Sequence, residues 1–392
     1  MKLIAKLLAG ILVGLLIGFY APEWLARLVF TAKVLIGQLI TFTIPLIILF
    51  FITSGIASLP KNSGRLLGQT VGLSYGSTLL AGTLAFLVAS HFIPQFASSV
   101  AMNSQEGVKL ASYLNLEVPP LFGVMTALAT AFVFGIGISA TEARDLRSVA
   151  DQGRDIIDRL LAKVLIPLLP IYIAGVFVEM TVEGTVFTTL KTFGVVLVMA
   201  IVMHWLWLTA LFVGTGLALG RSPLQLIKNM LPAYFTAVGT MSSAATIPVA
   251  LQASKNNGVS DGIANFTVPL CATIHLCGST ITLVTCATAV MFLSEHLAIP
   301  SLPEMLPFIM MLGVVMIAAP GAPGGGVMSA LGLLTSMLGF GDASIALMIA
   351  LYLAQDSFGT ACNVTGDGAI ALWVDRFAGR QQDEGALAET AQ

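Results

Sequence analysis

The stretch NMLPAYFTAVGTMSSAATIPVALQAS, residues 229–254, is apolar but is interrupted near its middle by small polar residues. The break covers residues 239–246, and Pro248 follows it closely. Each apolar arm is shorter than the roughly 20 residues that a helix needs to cross a bilayer. Because proline disfavours a continuous helix, the stretch predicts two half-length helices whose joint faces protein or a polar cavity.

A second stretch, residues 305–341, has the same organisation, with AAPGAPGGG (318–326) at its centre. Ordinary helices with Gly and Pro kinks are an alternative interpretation for either stretch alone. Each stretch, however, is followed by another apolar segment that carries polar residues. A pair of broken segments placed in this way indicates a transporter site between inverted repeats.

The composition places the whole chain in a membrane. Of its 392 residues, 57% are hydrophobic and only 10% are charged, with a mean hydropathy of +0.93. A soluble domain carries about 25% charged residues, and the net charge of −2 gives no reason to expect a nucleic-acid partner. The four cysteines lie in apolar stretches and predict no disulfide framework.

Segments with almost no charged side chains predict six spans before the first broken stretch, at residues 3–20, 28–54, 66–96, 118–141, 164–178 and 192–220. An interrupted seventh span follows at 262–294 and an eighth at 343–374. The first is expected to be a retained helix, since no clean signal-peptidase site follows it. The predicted fold class is an all-α polytopic membrane protein with eight transmembrane helices and two re-entrant helical hairpins.

Basic residues predict the orientation of these spans. When the spans are counted alternately, most Lys and Arg residues fall on one side, which the positive-inside rule makes cytoplasmic. Both termini, including a tail at 380–392, are then expected in the cytoplasm, with the protein in the plasma (inner) membrane. Residues 142–163 are charged on one face and predict an amphipathic helix lying along or leading into a span.

The eighth span carries a polar stripe. Asp356 and Asp367 are eleven residues apart, so they share a helix face and lie ~16 Å apart along an unbroken helix. Thr360 and Asn363 lie on the same stripe. An inert pair of aspartates would need basic partners, but no Lys or Arg occurs between Lys255 and Arg376. Buried anions without such partners are expected to bind a sodium ion, a proton or a substrate ammonium group.

Oxygen ligands for sodium are available at this stripe. Asp367 and Asn363 could hold one ion together with backbone carbonyls of an unwound segment at 273–278. Ser242, Ser243 and the backbone N–H groups at the two hairpin tips suit a substrate carboxylate, because helix N-termini attract anions.

These motifs resemble the dicarboxylate/amino-acid:cation symporters, the glutamate-transporter family, over nearly the whole chain. The most specific matches are MSSAATIPVAL (241–251), PGAPGGG (320–326) and NVTGD (363–367). The resemblance implies a homotrimer in the lipid bilayer that works as an elevator. Residues 1–65 and 118–191 would form a fixed scaffold. The third helix with its loop, 66–117, and a core at 192–379 would carry the solute.

The resemblance also implies roles for single residues. Asp356 would hold the substrate amino group, and the sodium ion at Asp367 and Asn363 would be completed by backbone carbonyls. Those carbonyls belong to Cys271 and His275, while the Thr273 carbonyl would frame a further sodium site. The other implied substrate contacts are Ser242, Ser243, Ser279, Gly324, Thr360 and Asn363, with Gly359 beside them.

Gly359 departs from the family pattern. Members that take acidic substrates have an arginine there, and without its guanidinium a second substrate carboxylate has no partner. We therefore expect a small neutral amino acid, and we expect the glycine to leave volume for a side chain larger than that of serine. A dicarboxylate or acidic amino acid, recognised differently, is the alternative.

HLCGS (275–279) departs as well, since it stands where the family has Asn-Met-Asp-Gly-Thr. Cys277 offers no hard oxygen ligand, although Tyr75 and Thr78 still resemble the other ligands of that sodium site. We expect fewer coupled sodium ions, or proton coupling through His275. The alternative is a hydrogen-bonded core histidine of which only the carbonyl matters.

Other functional classes fit the sequence poorly. Cys271, His275 and Cys277 give only three ligands at awkward helical spacing for a transition metal. The chain has no GxxxxGK[ST] loop and no HExxH motif, so neither ATP-driven transport nor an enzyme is expected, nor is an organic cofactor. A channel or a solute sensor on the same fold is the remaining alternative that is not a transporter.

Overall fold

The computed structural model describes residues 2–58, 64–97, 110–294, 296–317, 319 and 323–390, and within these residues it contains helices and no strands. The helices are α1 Lys2–Tyr20, α2 Glu23–Ser58, α3 Gly64–Ala97, α4 Val124–Thr141, α5 Arg144–Leu160, α6 Ile166–Val182, α7 Val186–Leu219, α8 Pro223–Thr240, α9 Ser243–Asn256, α10 Asp261–Ile274, α11 Cys277–Leu293, α12 Leu302–Met316, α13 Gly325–Leu338 and α14 Asp342–Thr390. The prediction of an all-α fold is confirmed.

Seven helical units in the described part of the chain are long and apolar enough to cross a membrane. They are α2, α3, α4, the continuous run α5–α6, α7, the pair α10–α11, and α14. The apolar part of α1 is shorter, and so are α12 and α13. The chain is therefore a multi-pass membrane protein, while the first predicted span, at α1, stays a prediction.

Several predicted boundaries were wrong for local reasons. The span predicted from residue 118 begins at Val124, because Pro119, Pro120 and Gly123 interrupt helix formation before it. The sixth span starts earlier than predicted, at Val186. The last helix continues through residues 380–390, which had been assigned to a tail.

The first broken stretch forms a helical hairpin. Helices α8 and α9 pack against each other and are joined through Met241 and Ser242 only, a much shorter break than predicted. The Ser242 hydroxyl accepts a hydrogen bond from the Ala245 N–H group at 3.3 Å and so caps the N-terminus of α9.

Helices α12 and α13 form a second packed pair. Four residues of the central AAPGAPGGG (318–326), namely 318 and 320–322, lie outside the described residues. Both broken stretches thus contain two helices that pack against each other. A re-entrant position of the hairpins in the bilayer stays a prediction.

The amphipathic helix predicted at 142–163 is confirmed as α5. Its buried residues Ala150, Gly153 and Ile157 face the body of the protein, and Gly153 lies against the Phe50 ring of α2. A single π-helical turn, Leu161–Leu165, joins α5 to α6, so the amphipathic helix leads directly into a span.

The helices pack in two groups. One group contains α1, α2, α4, α5 and α6, and a partly buried ion pair between Lys33 and Glu179, at 2.8 Å, joins α2 to α6 within it. The other contains α3 and α7–α14, with α14 packed against α7, α8, α10 and α11. This grouping follows the predicted division into scaffold and transport core, whose boundaries stay a prediction.

Candidate substrate and cation site

The seventh span is broken at the centre of the site. Helix α10 ends at Ile274 and α11 begins at Cys277, with His275 and Leu276 in non-helical conformations between them. The first N–H groups of α11 have no partner inside their own helix. The side-chain oxygen of Asn363 on α14 accepts hydrogen bonds from two of them, Gly278 N at 2.7 Å and Ser279 N at 3.1 Å. Of the segment expected to be unwound, 273–278, only His275 and Leu276 are non-helical, and α14 caps the helix that follows them.

Both the oxygen and the nitrogen of the Asn363 side-chain amide are hydrogen-bonded. Its Nδ2 group donates to the Ser279 hydroxyl at 2.8 Å, while its oxygen caps α11. The sequence suggested that this oxygen faces an ion. In the structure both of its acceptor positions are used by backbone N–H groups, so a cation beside Asn363 would have to use the backbone carbonyl of that residue.

Asp367 has a partner that the sequence reasoning missed. Its Oδ1 atom lies 2.9 Å from Nδ1 of His275, and both side chains are buried. The other imidazole nitrogen lies 2.8 Å from the Ser77 hydroxyl of α3. The partner is a histidine and not one of the Lys or Arg residues on which the prediction rested. The expectation that nothing on these segments can pair Asp367 was therefore wrong, and His275 is a hydrogen-bonded core histidine.

The residues around Cys277 do not form the sodium site that the resemblance suggests. Tyr75 donates its hydroxyl proton to the Met310 carbonyl at 3.0 Å, and Thr78 donates to the Ser74 carbonyl at 2.9 Å. The Cys277 thiol lies beside the His275 imidazole and the Cys362 thiol. Soft sulfur and nitrogen atoms therefore occupy the position where hard oxygen ligands would be needed.

A cavity of about 180 Å³ lies between the two hairpins, the α10–α11 break and α14. Five of the predicted substrate residues line it: Ser243, Ser279, Asp356, Thr360 and Asn363. Thr273, predicted to offer its carbonyl to an ion, lines it too. Cys271, His275 and Asp367 lie behind this lining and are fully buried.

The other predicted substrate residues do not line the cavity. Ser242 caps α9, as described above. Gly324, with φ +80°, donates its backbone N–H group to Oδ2 of Asp356 at 2.7 Å, which ties the second hairpin to α14. Gly326, two residues later, lines the cavity in its place.

Gly359 faces α11. A Cβ atom built on it would lie 3.1 Å from the Thr282 hydroxyl oxygen and 3.5 Å from the Gly278 carbonyl carbon. The glycine therefore allows α11 and α14 to approach closely. The expectation that it leaves volume for the substrate was wrong, because α11 fills that space.

Tyr352 is a cavity residue that the sequence reasoning missed. Its side chain is buried, and its hydroxyl lies beside Asp356 and Ser279. It precedes Asp356 by four residues, so it extends the polar stripe of α14 by one helical turn. That spacing alone could have identified Tyr352 as a cavity residue from the sequence.

The cavity has a simple electrostatic character. Among its described lining residues Asp356 carries the only carboxyl group, and none is Lys, Arg or His. Helices α9 and α13 begin at its wall, with Ser243 and Gly326 in their first turns, whereas the start of α11 is already capped by Asn363. Helix N-termini favour carboxylates, and a buried carboxylate favours an ammonium group. The arrangement can therefore hold a zwitterion.

Comparison with known proteins agrees with this geometry. The chain is 28% identical over 302 residues to excitatory amino acid transporter 1 of Mus musculus, covering 71% of this chain and 53% of the relative. It is 27% identical over 222 residues to neutral amino acid transporter B(0) of Homo sapiens, covering 54% of this chain and 39% of the relative. The chain thus spans about half the length of the curated relatives it matches.

A family pattern covers far more of the chain than these pairwise matches do. The pattern of the sodium:dicarboxylate symporter family matches residues 3–377, which include every helix of the candidate site. The chain therefore belongs to the sodium:dicarboxylate symporter family, a family of transport proteins.

Proposed function

We propose that this protein is a cation-coupled symporter that imports a small neutral amino acid across the plasma membrane. The observation that carries the proposal is the charge of the cavity: one carboxyl group, Asp356, and no basic side chain among the described lining residues. An amino acid with a neutral side chain brings one ammonium group for Asp356 and one carboxylate for the helix N-termini. A second carboxylate would be buried without a partner, which is strongly unfavourable.

Sodium is the proposed coupling ion, at a site formed by Asp367 and by backbone carbonyls of Cys271, His275 and Asn363. The family and the broken α10–α11 span support it, since a break in a helix frees carbonyl oxygens such as that of His275, while the Cys271 carbonyl also accepts the His275 N–H group at 2.8 Å. A second ion would use the Thr273 carbonyl. We expect fewer ions than in relatives with an aspartate at the Cys277 position.

The working arrangement that we propose is a homotrimer with both termini in the cytoplasm. The group containing α1, α2 and α4–α6 would stay fixed, and the group containing α3 and α7–α14 would move with the solute. The separate packing of these two groups supports this division. The shared organisation of the family supports an elevator movement of the second group.

Three alternatives to this proposed function remain. Some relatives are named excitatory amino acid transporters, which favours an acidic substrate, whereas the relative named neutral amino acid transporter B(0) favours the proposal. The bond between His275 and Asp367 favours proton coupling. A channel or a solute sensor would use the same cavity without gradient-driven accumulation.

Uptake by the purified protein in liposomes separates these alternatives. An inward sodium gradient should make the liposomes accumulate labelled alanine or serine above the external concentration. Dissipating the gradient with a sodium ionophore should abolish that accumulation. Accumulation driven by a proton gradient alone would show that the coupling ion is the proton and not sodium. Equilibration without accumulation would indicate a channel.

A further inference from the structure

Met241, at the tip of the first hairpin, has an unusual backbone conformation. Its φ of +53° and ψ of +30° lie in the left-handed region, which favours glycine because a Cβ atom is strained there. Among the described residues, Glu142 is the one other non-glycine residue with positive φ. Both end a helix, α8 and α4 respectively. Because left-handed residues are common at helix ends and Glu142 shares this conformation, the role of Met241 follows from where its side chain lies.

The Met241 side chain lines the substrate cavity and is 4% exposed. Ala244 and Ile247 of α9 line it as well, and so does Leu276 in the α10–α11 break. We call these four apolar side chains the apolar wall. Two polar residues come from the same elements: Ser243 begins α9, and the Thr273 hydroxyl donates to the Leu270 carbonyl at 2.8 Å and is thus satisfied within its helix.

The polar lining of the cavity comes mainly from other elements, α14 and the start of α11, which contribute Asp356, Thr360, Asn363 and Ser279. An amino acid bound with its ammonium group at Asp356 therefore has its charged end on the polar lining and directs its side chain toward the apolar wall.

The size of the cavity limits that side chain. A volume of about 180 Å³ equals about six water molecules at ~30 Å³ each. In another protein a cavity of ~150 Å³ holds benzene. The space thus fits an amino acid of the size of alanine to valine.

We infer that Met241 is a specificity-determining residue and that the substrate is a neutral amino acid with a small aliphatic side chain. This inference rests on the proposed function and deepens it. Valine and threonine have the same shape, but the threonine hydroxyl finds no partner on the apolar wall. A hydrophobic pocket rejects such a hydroxyl isostere by up to about 100-fold, so we expect valine to bind at least about 10-fold more tightly than threonine.

Two substitutions of Met241 test the inference. Met241→Gly relieves the backbone strain and removes the side chain, so the protein should keep its thermal stability while valine affinity falls about 10-fold and alanine affinity stays nearly unchanged. Met241→Gln keeps the length of the side chain but makes its end polar. It should lower the ratio of valine to threonine affinity about 10-fold.

Glu142→Gly is the matched control. It relieves the same left-handed conformation at the end of α4, away from the cavity, and should leave all three affinities unchanged. Affinities are measured by isothermal titration calorimetry on the full chain in detergent with saturating sodium.

The outcomes distinguish this inference from the proposed function. The inference is wrong if the unmodified protein binds threonine as tightly as valine. It is also wrong if both Met241 variants keep the ratio of valine to threonine affinity of the unmodified protein. In either case neutral amino-acid transport stands. If the unmodified protein binds no neutral amino acid, the proposed function fails, and the inference fails with it.

Discussion

Nδ1 of His275 lies 2.9 Å from Oδ1 of Asp367, and neither side chain reaches solvent. The same imidazole contacts Ser77 of α3 through its other nitrogen. One histidine therefore joins α3, the break between α10 and α11, and α14. Any cation that Asp367 binds has to share the carboxylate with this imidazole, which makes the pair the place where ion binding and helix packing are connected.

Asp367→Asn should abolish the sodium dependence of substrate binding. The amide keeps the shape of the side chain but removes the charge that a sodium ion needs. We would measure amino-acid affinity over a series of sodium concentrations. Asp375→Asn is the control, because Asp375 lies about two turns further along α14 and accepts a hydrogen bond from the Ser260 hydroxyl instead of facing His275. An unchanged sodium response in the Asp367 variant would contradict the ion-site assignment.

His275→Asn should lower the sodium concentration needed for half-maximal substrate affinity by about 10-fold, or ~1.4 kcal/mol. The shorter side chain leaves the Asp367 carboxylate free for the ion. Ser77→Ala, which removes the hydroxyl on the other side of the ring, should change this concentration much less. A rise in the required sodium concentration in the His275 variant would show that the imidazole supports ion binding.

Asp356→Asn should weaken binding of alanine by about 30- to 1,000-fold, which corresponds to ~2–4 kcal/mol for loss of one partner of a buried charge pair. The amide oxygen can still accept the Gly324 N–H group, so the second hairpin should stay in place. Lactate, which lacks the amino group, serves as the control ligand. Equal alanine affinity in the variant and the unmodified protein would remove Asp356 from the site.

Gly359→Arg alone should not create binding of aspartate. The Cβ atom of the new residue would point at Thr282 and Gly278 instead of into the cavity. We expect lower thermal stability, and Gly359→Ala should lose ~1–2 kcal/mol because Thr282 must move slightly. Titration of both variants with aspartate checks this. Tight aspartate binding by the arginine variant would show that the α11–α14 contact can open.

Gly278→Ala should destabilise the protein by more than about 3 kcal/mol. Its Cβ atom would overlap the Cys362 side chain and the Gly359 carbonyl oxygen, so α11 and α14 would have to separate. Gly72→Ala in α3 is the matched control, since nothing lies within 4 Å of its Cβ position. Thermal melting of both variants in detergent should show a lower midpoint only for the Gly278 variant.

The sequence predicted those parts of the site that depend on local patterns. The break near residue 241 followed from small residues and proline. The face shared by Asp356, Thr360 and Asn363 followed from helical spacing, and all three line the cavity. Segments with almost no charged residues also predicted most of the long helices, because apolar runs of membrane length leave few other structures available.

Relations between distant segments could not be read in the same way. The contact of His275 with Asp367 spans 92 residues and depends on how the α10–α11 break packs on α14. The direction in which Gly359 faces depends on the rotation of α14 against α11. The left-handed conformation of Met241 had no signal either, because methionine does not favour it.

The most direct test of the account is one titration: the affinity of the purified protein for a panel of amino acids, measured at a series of sodium concentrations. If the protein is a sodium-coupled symporter of neutral amino acids, alanine, serine and threonine should bind more tightly than aspartate and succinate, and sodium should strengthen their binding. Tighter binding of aspartate or succinate than of every neutral amino acid would contradict the account.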